Sequence, residues 1–146
     1  MLSQLRPLAS AENMEWATRI YQKLMRFAPD LLSIKESAKF EVEGYFTLIS
    51  LEVTDASEGY RRISLNHCWS DDSGTLISDP DIEIAVYPDW EMAEALIYRD
   101  TFSVEVAYPV EGGPVDTKAY LSINNSLERW LDSLLQQENV QRMGAI

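Results

Sequence analysis

Apolar and polar positions alternate most regularly between Asp81 and Tyr108. Asp81 to Tyr87 alternates with period two and reads as a strand. Pro88-Asp89 breaks the run in a tight turn, and Trp90 to Tyr98 carries it back as a second strand. Thr101 to Tyr108 alternates again, with Phe102, Val104, Val106 and Tyr108 on one face. Period-two alternation over such lengths predicts half-buried strands of one sheet. The remaining elements are read against that sheet.

Upstream, Trp16, Ile20, Leu24 and Phe27 recur at helical spacing with Ala17, Tyr21 and Ala28 beside them. Arg19, Lys23 and Arg26 fall on the other face. Ser10 reads as the N-cap, Glu12 suits the first turn, and Pro29 ends the helix. Residues 1–9 read as a loosely held tail. Leu31 to Ile34 is a connector that retains helical character. Phe40 and Val42 alternate with charged neighbours, and Glu43-Gly44 is a turn or a bulge. Tyr45 to Thr54 is apolar on both faces through Phe46, Leu48, Ile49 and Leu51, which suits a central strand. Asp55 to Gly59 is a turn cluster. Tyr60 to Trp69 returns with Ile63, Leu65, His67 and Trp69 on one face and Arg62, Ser64, Asn66 and Cys68 on the other. Asp116 or Thr117 opens a last helix with Tyr120, Leu121, Leu127, Trp130, Leu131, Leu134 and Leu135 as its apolar face. Asn124, Glu128 and Asp132 share a different face of it, and the chain from Gln136 onward reads as a fraying tail. The pattern is α+β: an N-terminal helix, five or six mostly antiparallel strands and a C-terminal helix packed on the sheet.

Composition narrows the function classes. A chain of 146 residues with 46% hydrophobic residues fits one domain, residues 1–146, with its own core. The single cysteine, Cys68, cannot form an intramolecular disulfide or a thiolate cage. No apolar run is long enough to span a membrane, and the start lacks a secretory h-region, so a cytoplasmic protein is expected. With 24 acidic against 12 basic residues the net charge is −12. Such a field disfavours nucleic acid and anionic lipid and suits a basic partner.

The stretch Tyr87-Pro88-Asp89-Trp90-Glu91-Met92-Ala93-Glu94 resembles the signature of the YqiB-like bacterial proteins, a family of unknown function. Tyr87, Asp89, Ala93 and Glu94 match that pattern, and Pro88 stands where members carry histidine. Tyr108-Pro109 resembles the family's aromatic strand end. Asp116, Lys118, Asn124, Leu127, Trp130 and Leu131 resemble its final helix, with Thr117 in place of a glutamate. The likeness runs in order over residues 14 to 135. It implies a bacterial cytoplasmic protein and no particular activity.

Catalytic chemistry is hard to assemble. His67 and Cys68 are neighbours on a strand and point to opposite faces, so they cannot pair. No glycine-flanked serine elbow accompanies His67, which is expected as a hydrogen-bonded core histidine. Carboxylates offer the alternative chemistry. Asp89, Glu94 and Asp116 supply the oxygen ligands that hard cations take, although an Asp in a turn ordinarily bonds local backbone N–H groups. Glu94 shares its strand face with Trp90, Met92, Leu96 and Tyr98. It therefore needs a partner or a raised pKa, with Lys118 or Arg99 the expected cations. Asn124 is expected to satisfy polar groups where helix meets sheet. Tyr87, Asp89, Glu94, Asp116, Lys118 and Asn124 form the candidate ligand-binding set, with no catalytic residue, metal ligand or cofactor assigned. The favoured reading is a non-catalytic binding or adaptor domain with a protein partner, whose open sheet face also admits a homodimer. The alternatives are a carboxylate ligand site with hydrolase activity and an acidic chaperone for a basic partner.

Overall fold

The computed structural model describes residues 11–42, 47–57, 59–70, 72–110, 113–136 and 140–142. Helix α1 spans Ala11–Phe27. Its buried stripe is Ala17, Ile20 and Leu24, continued by Ala28. That spacing of three and four residues keeps one face toward the core. A 3-10 turn at Leu31–Ser33 follows Pro29.

Strands β1 (Ser37–Val42), β2 (Thr47–Ser57), β3 (Tyr60–Ser70) and β4 (Leu76–Tyr87) come next. After the 3-10 turn Pro88–Trp90 come β5 (Met92–Arg99) and β6 (Val104–Val106). Helix α2 spans Thr117–Gln136, and β7 spans Val140–Arg142. The sheet order is β6-β5-β4-β3-β2-β1-β7, with every pair antiparallel. The first six strands thus form one meander, and β7 adds to the far edge beside β1.

The α+β expectation is met, with local differences. Phe102 does not extend β6, because the Asp100 carboxylate captures the Phe102 and Ser103 N–H groups at 2.8 Å each and turns the chain. Trp90 is not in a strand: Pro88 fixes a 3-10 turn, closed by Glu91 in the left-handed region at φ 53°. Strand β2 runs on to Ser57, so the turn beyond it is tighter than the Asp55–Gly59 cluster suggested. Residues 140–142, expected to fray, instead pair with β1. On α2, Leu121 is exposed and Ile123 is buried. The tail 1–9, Ser10, Phe46, Glu43-Gly44, residues 137–139 and residues 143–146 lie outside the described residues, as does the Trp69 side chain.

One sheet face carries Phe40, Ile49, Leu51, Ile63, Leu65, Ile82 and Ile84, which are buried with the helices. Each Leu or Ile fully withdrawn from water there contributes about 1.5–3 kcal/mol. The other face is polar. Ser64 donates to Asp81 at 2.6 Å, while Arg62 and Arg99 both reach Glu83, at 2.9 and 2.8 Å. The two helices run side by side and in the same direction. Arg19 pairs with Glu128 at 3.1 Å and Lys23 with Asp132 at 2.7 Å, at the same sequence offset. The Phe27 ring lies 4.3 Å from that of Phe40, placing the end of α1 over β1.

Candidate functional site

The chemically distinctive place in the fold lies where β4, β5 and α2 meet. Glu94 opposes Ala85 across the β4–β5 ladder, and Tyr87 opposes Met92. Tyr87 and Glu94 are therefore diagonal neighbours on one face. The small Ala85 leaves room beside them. Farther along, the same face carries Arg62, Ser64, Glu83 and Arg99. At this end the side chains of Tyr120, from α2, and of Tyr108, just beyond β6, reach Glu94.

Glu94 is 1% exposed. Tyr87 and Tyr108 donate to its Oε1 at 3.2 and 3.1 Å, and Tyr120 donates to Oε2 at 3.0 Å. The three hydroxyls come from β4, from the residues after β6 and from α2. The Tyr60 ring packs at a tilt against that of Tyr87, with centroids 5.7 Å apart. Burial raises the Glu94 carboxyl to about 7, and the donors from Tyr120, Tyr108 and Tyr87 partly counter that rise. Burial and the Glu94 charge push all three tyrosines up, so they remain protonated donors.

One helical turn beyond Tyr120, the Asn124 side chain grips the neighbouring strand residue. Its Oδ1 accepts the Ala95 N–H at 2.7 Å, and its Nδ2 donates to the Ala95 carbonyl at 3.2 Å and the Tyr120 carbonyl at 2.9 Å. Strand β6 pairs with β5 only from Ile97 onward. The Asn124 carboxamide thus takes the place of a strand partner where β6 stops. Its expected role at the helix–sheet junction is met.

The cation partners expected for Glu94 do not meet it. Arg99 pairs with Glu83 and Asp81 instead. It lies five positions along β5, roughly 16 Å at strand spacing, too far to fold back. Lys118 is exposed in the first turn of α2. Tyr98 also leaves the Glu94 face, because β5 carries a bulge at Leu96: Ala95 opposes Ile84 while Ile97 opposes Glu83. That extra residue flips the parity beyond it. Tyr98 bonds Asp100 at 2.9 Å, and burial with the Asp100 contact pushes its hydroxyl up to about 12.

The six candidates thus divide. Tyr87, Glu94 and Asn124 meet at the junction. Asp89 is exposed in the Pro88–Trp90 turn. Asp116 is exposed and caps α2, its Oδ1 accepting the Ala119 N–H at 3.1 Å. Among the described residues no three His, Cys, Asp or Glu side chains are grouped to hold a metal ion. Tyr108 and Tyr120 are the members that sequence reasoning missed. Tyr120 was read only as core, and its offset of four from Asn124 was the available signal.

His67 faces the core side opposite Ile49, and Cys68 lies on the other face, where its thiol donates to Asn66 Oδ1 at 3.0 Å. The two do not form a catalytic pair. His67 is half-buried rather than deep in the core, and desolvation lowers its pKa.

No helix among the described residues is long and apolar enough to cross a membrane. No curated protein and no solved structure matches the chain. A family model described as "Protein of unknown function (DUF1249)" matches residues 23–140, most of the sequence, and the chain belongs to that family.

Proposed function

We propose that this protein is a non-catalytic binding domain that works through protein–protein contacts at the β5–β6 hairpin. The observation that carries the reading is Phe102. It is 93% exposed at the tip of a hairpin that is tightly held. Asp100 accepts from the Phe102 and Ser103 N–H groups and from the Tyr98 hydroxyl, and Asp79 accepts from the Thr101 N–H at 3.0 Å. An aromatic ring presented to water on a pre-organised loop costs little further order when a partner covers it. Val104 nearby is 62% exposed. The shared residues around Tyr87 and Glu94 support placing the chain with the YqiB-like bacterial proteins and in the cytoplasm.

The Glu94 cluster suits this reading better than a hydrolase. Its carboxylate is sealed from solvent, and its hydrogen bonds go to the protein's own tyrosines, so a substrate has no approach to it. The carboxylate serves to hold α2 and the segment after β6 on the sheet behind the hairpin.

The test is affinity capture from the source cell with wild type, Phe102→Asp and Glu94→Gln as parallel baits. Loss of the same captured proteins with Phe102→Asp, at unchanged melting temperature, and their retention with Glu94→Gln is the expected result. Identical capture by wild type and Phe102→Asp removes the hairpin as the contact surface.

A further inference from the structure

Strand β6 is the last strand on its side of the sheet. The Ala107 N–H donates to Leu96 and the Asp100 N–H to the Ser103 carbonyl. With Tyr98 opposite Glu105, these bonds turn the backbone groups of residues 103 and 105 and the Ala107 N–H toward β5, while the Ala107 carbonyl accepts from the Asp116 N–H at 2.8 Å. By the alternation of an antiparallel ladder, the N–H and C=O groups of Val104 and Val106 then face away from the sheet. No hydrogen bond from a described residue reaches them. Proteins ordinarily protect such an edge by keeping it short or by placing charge, proline or a covering segment on it, and β6 is three residues long with Glu105 at its centre. Here its flanks are Phe102 and Val104, both exposed.

The β5–β6 hairpin beyond Arg99 carries only acidic charge, Asp100 and Glu105. Among the described residues from Asp100 to Asp116 stand Asp100, Glu105 and Asp116 and no lysine or arginine; Lys118 follows, exposed in the first turn of α2. On the polar sheet face, Arg99 beside Val104 is already paired with Glu83 at 2.8 Å. A second copy of this chain would bring the same acidic stretch and a net charge of −12 against it, which repels.

We infer that β6 receives an extended, basic segment of a partner protein by strand addition. The partner backbone bonds to Val104 and Val106, its apolar side chains rest on Phe102 and Val104, and its lysines or arginines meet Glu105 and the neighbouring carboxylates. This mode takes affinity from main-chain hydrogen bonds and specificity from alternate side chains. The inference rests on the hairpin being the contact surface and adds the partner's conformation and charge.

The probe is a fluorescein-labelled peptide of alternating lysine and valine, seven residues long, titrated with the full chain and read by anisotropy. The controls are an alternating glutamate–valine peptide and a lysine–valine peptide N-methylated at alternate amides. Val104→Pro is the second variant. It removes an outward N–H and leaves the ladder to β5 intact, so the fold is retained. Strand addition predicts saturable binding of the basic peptide, at least tenfold weaker binding of both controls, and a tenfold loss in Val104→Pro. Affinity should also fall as salt is raised. Equal binding of the methylated peptide, or no effect of Val104→Pro, overturns strand addition. Equal binding of the acidic peptide overturns the charge assignment. A dimer in sedimentation that Val104→Pro dissolves overturns the basic partner in favour of a second copy. No peptide binding, with Phe102-dependent protein capture intact, overturns this inference and leaves the binding-domain reading standing.

Discussion

The Tyr120 hydroxyl donates to Glu94 Oε2 at 3.0 Å, and one turn later Asn124 bonds the backbone of the very next strand residue, Ala95. Successive turns of α2 therefore grip successive residues of β5, one through a side chain and the other through the main chain.

The Glu94 contact fixes a direction of pH dependence. In the unfolded chain the carboxyl titrates near an ordinary 4.5, and in the fold at about 7. Between these values the folded state keeps a proton that the unfolded state releases. This contribution to stability is therefore complete below about 4.5 and is lost as pH rises to about 7, by roughly 3 kcal/mol over the full shift. In Glu94→Gln the amide still accepts from two tyrosines and donates to the third, and it carries no charge. Urea titrations at pH 5 and pH 8 should show a variant that matches wild type at pH 5 and exceeds it at pH 8. Parallel curves at both pH values would refute this account.

Tyr120→Phe removes the strongest of the donors that hold the Glu94 carboxyl down. The carboxyl should then titrate above its wild-type value. Carboxyl carbon NMR of Glu94 reads this directly, and an unchanged midpoint removes Tyr120 as a controlling donor.

Asn124→Leu keeps a similar volume but leaves the Ala95 N–H and carbonyl without partners in a buried place. Each such group costs about 1–3 kcal/mol, so a loss of roughly 2–6 kcal/mol is expected in chemical denaturation. Asn124→Asp can still accept from Ala95 but cannot donate, and it adds a second carboxyl near Glu94. It should be destabilised more at pH 8 than at pH 5.

The helix–helix seam is ionic. Lys23 bridges Glu128 at 2.9 Å and Asp132 at 2.7 Å. Burial pushes the Glu128 carboxyl up, but the hydrogen bonds from Arg19 and Lys23 outweigh it and hold it below the ordinary range. A double-mutant cycle of Lys23→Met and Glu128→Gln should give a coupling of about 1 kcal/mol that shrinks in high salt. Additive effects in low salt would show that the pair contributes nothing.

Much of the architecture was legible from period and punctuation. Ile82 and Ile84 alternate with Asp81 and Glu83, and the strand they predict exists. What escaped depends on events that periodicity does not encode. The bulge at Leu96 flips Tyr98 to the other face, and nothing in the composition of β5 marks that extra residue. Phe102 continues an alternating run, yet Asp100 competes for its backbone and wins. The partner of Glu94 was sought among cations because charge is visible in a sequence. Three tyrosine hydroxyls drawn from distant segments are visible only after folding.

Helix α2 leaves the β6 side of the sheet and delivers the chain to β7 at the opposite side. Its 20 residues measure about 30 Å at 1.5 Å per residue. Seven strands spaced about 4.8 Å apart are about 29 Å wide. The length of the helix is close to the breadth of the sheet. Removing one helical turn would shorten that path by about 5.4 Å, so this element is expected to tolerate changes of residue better than changes of length.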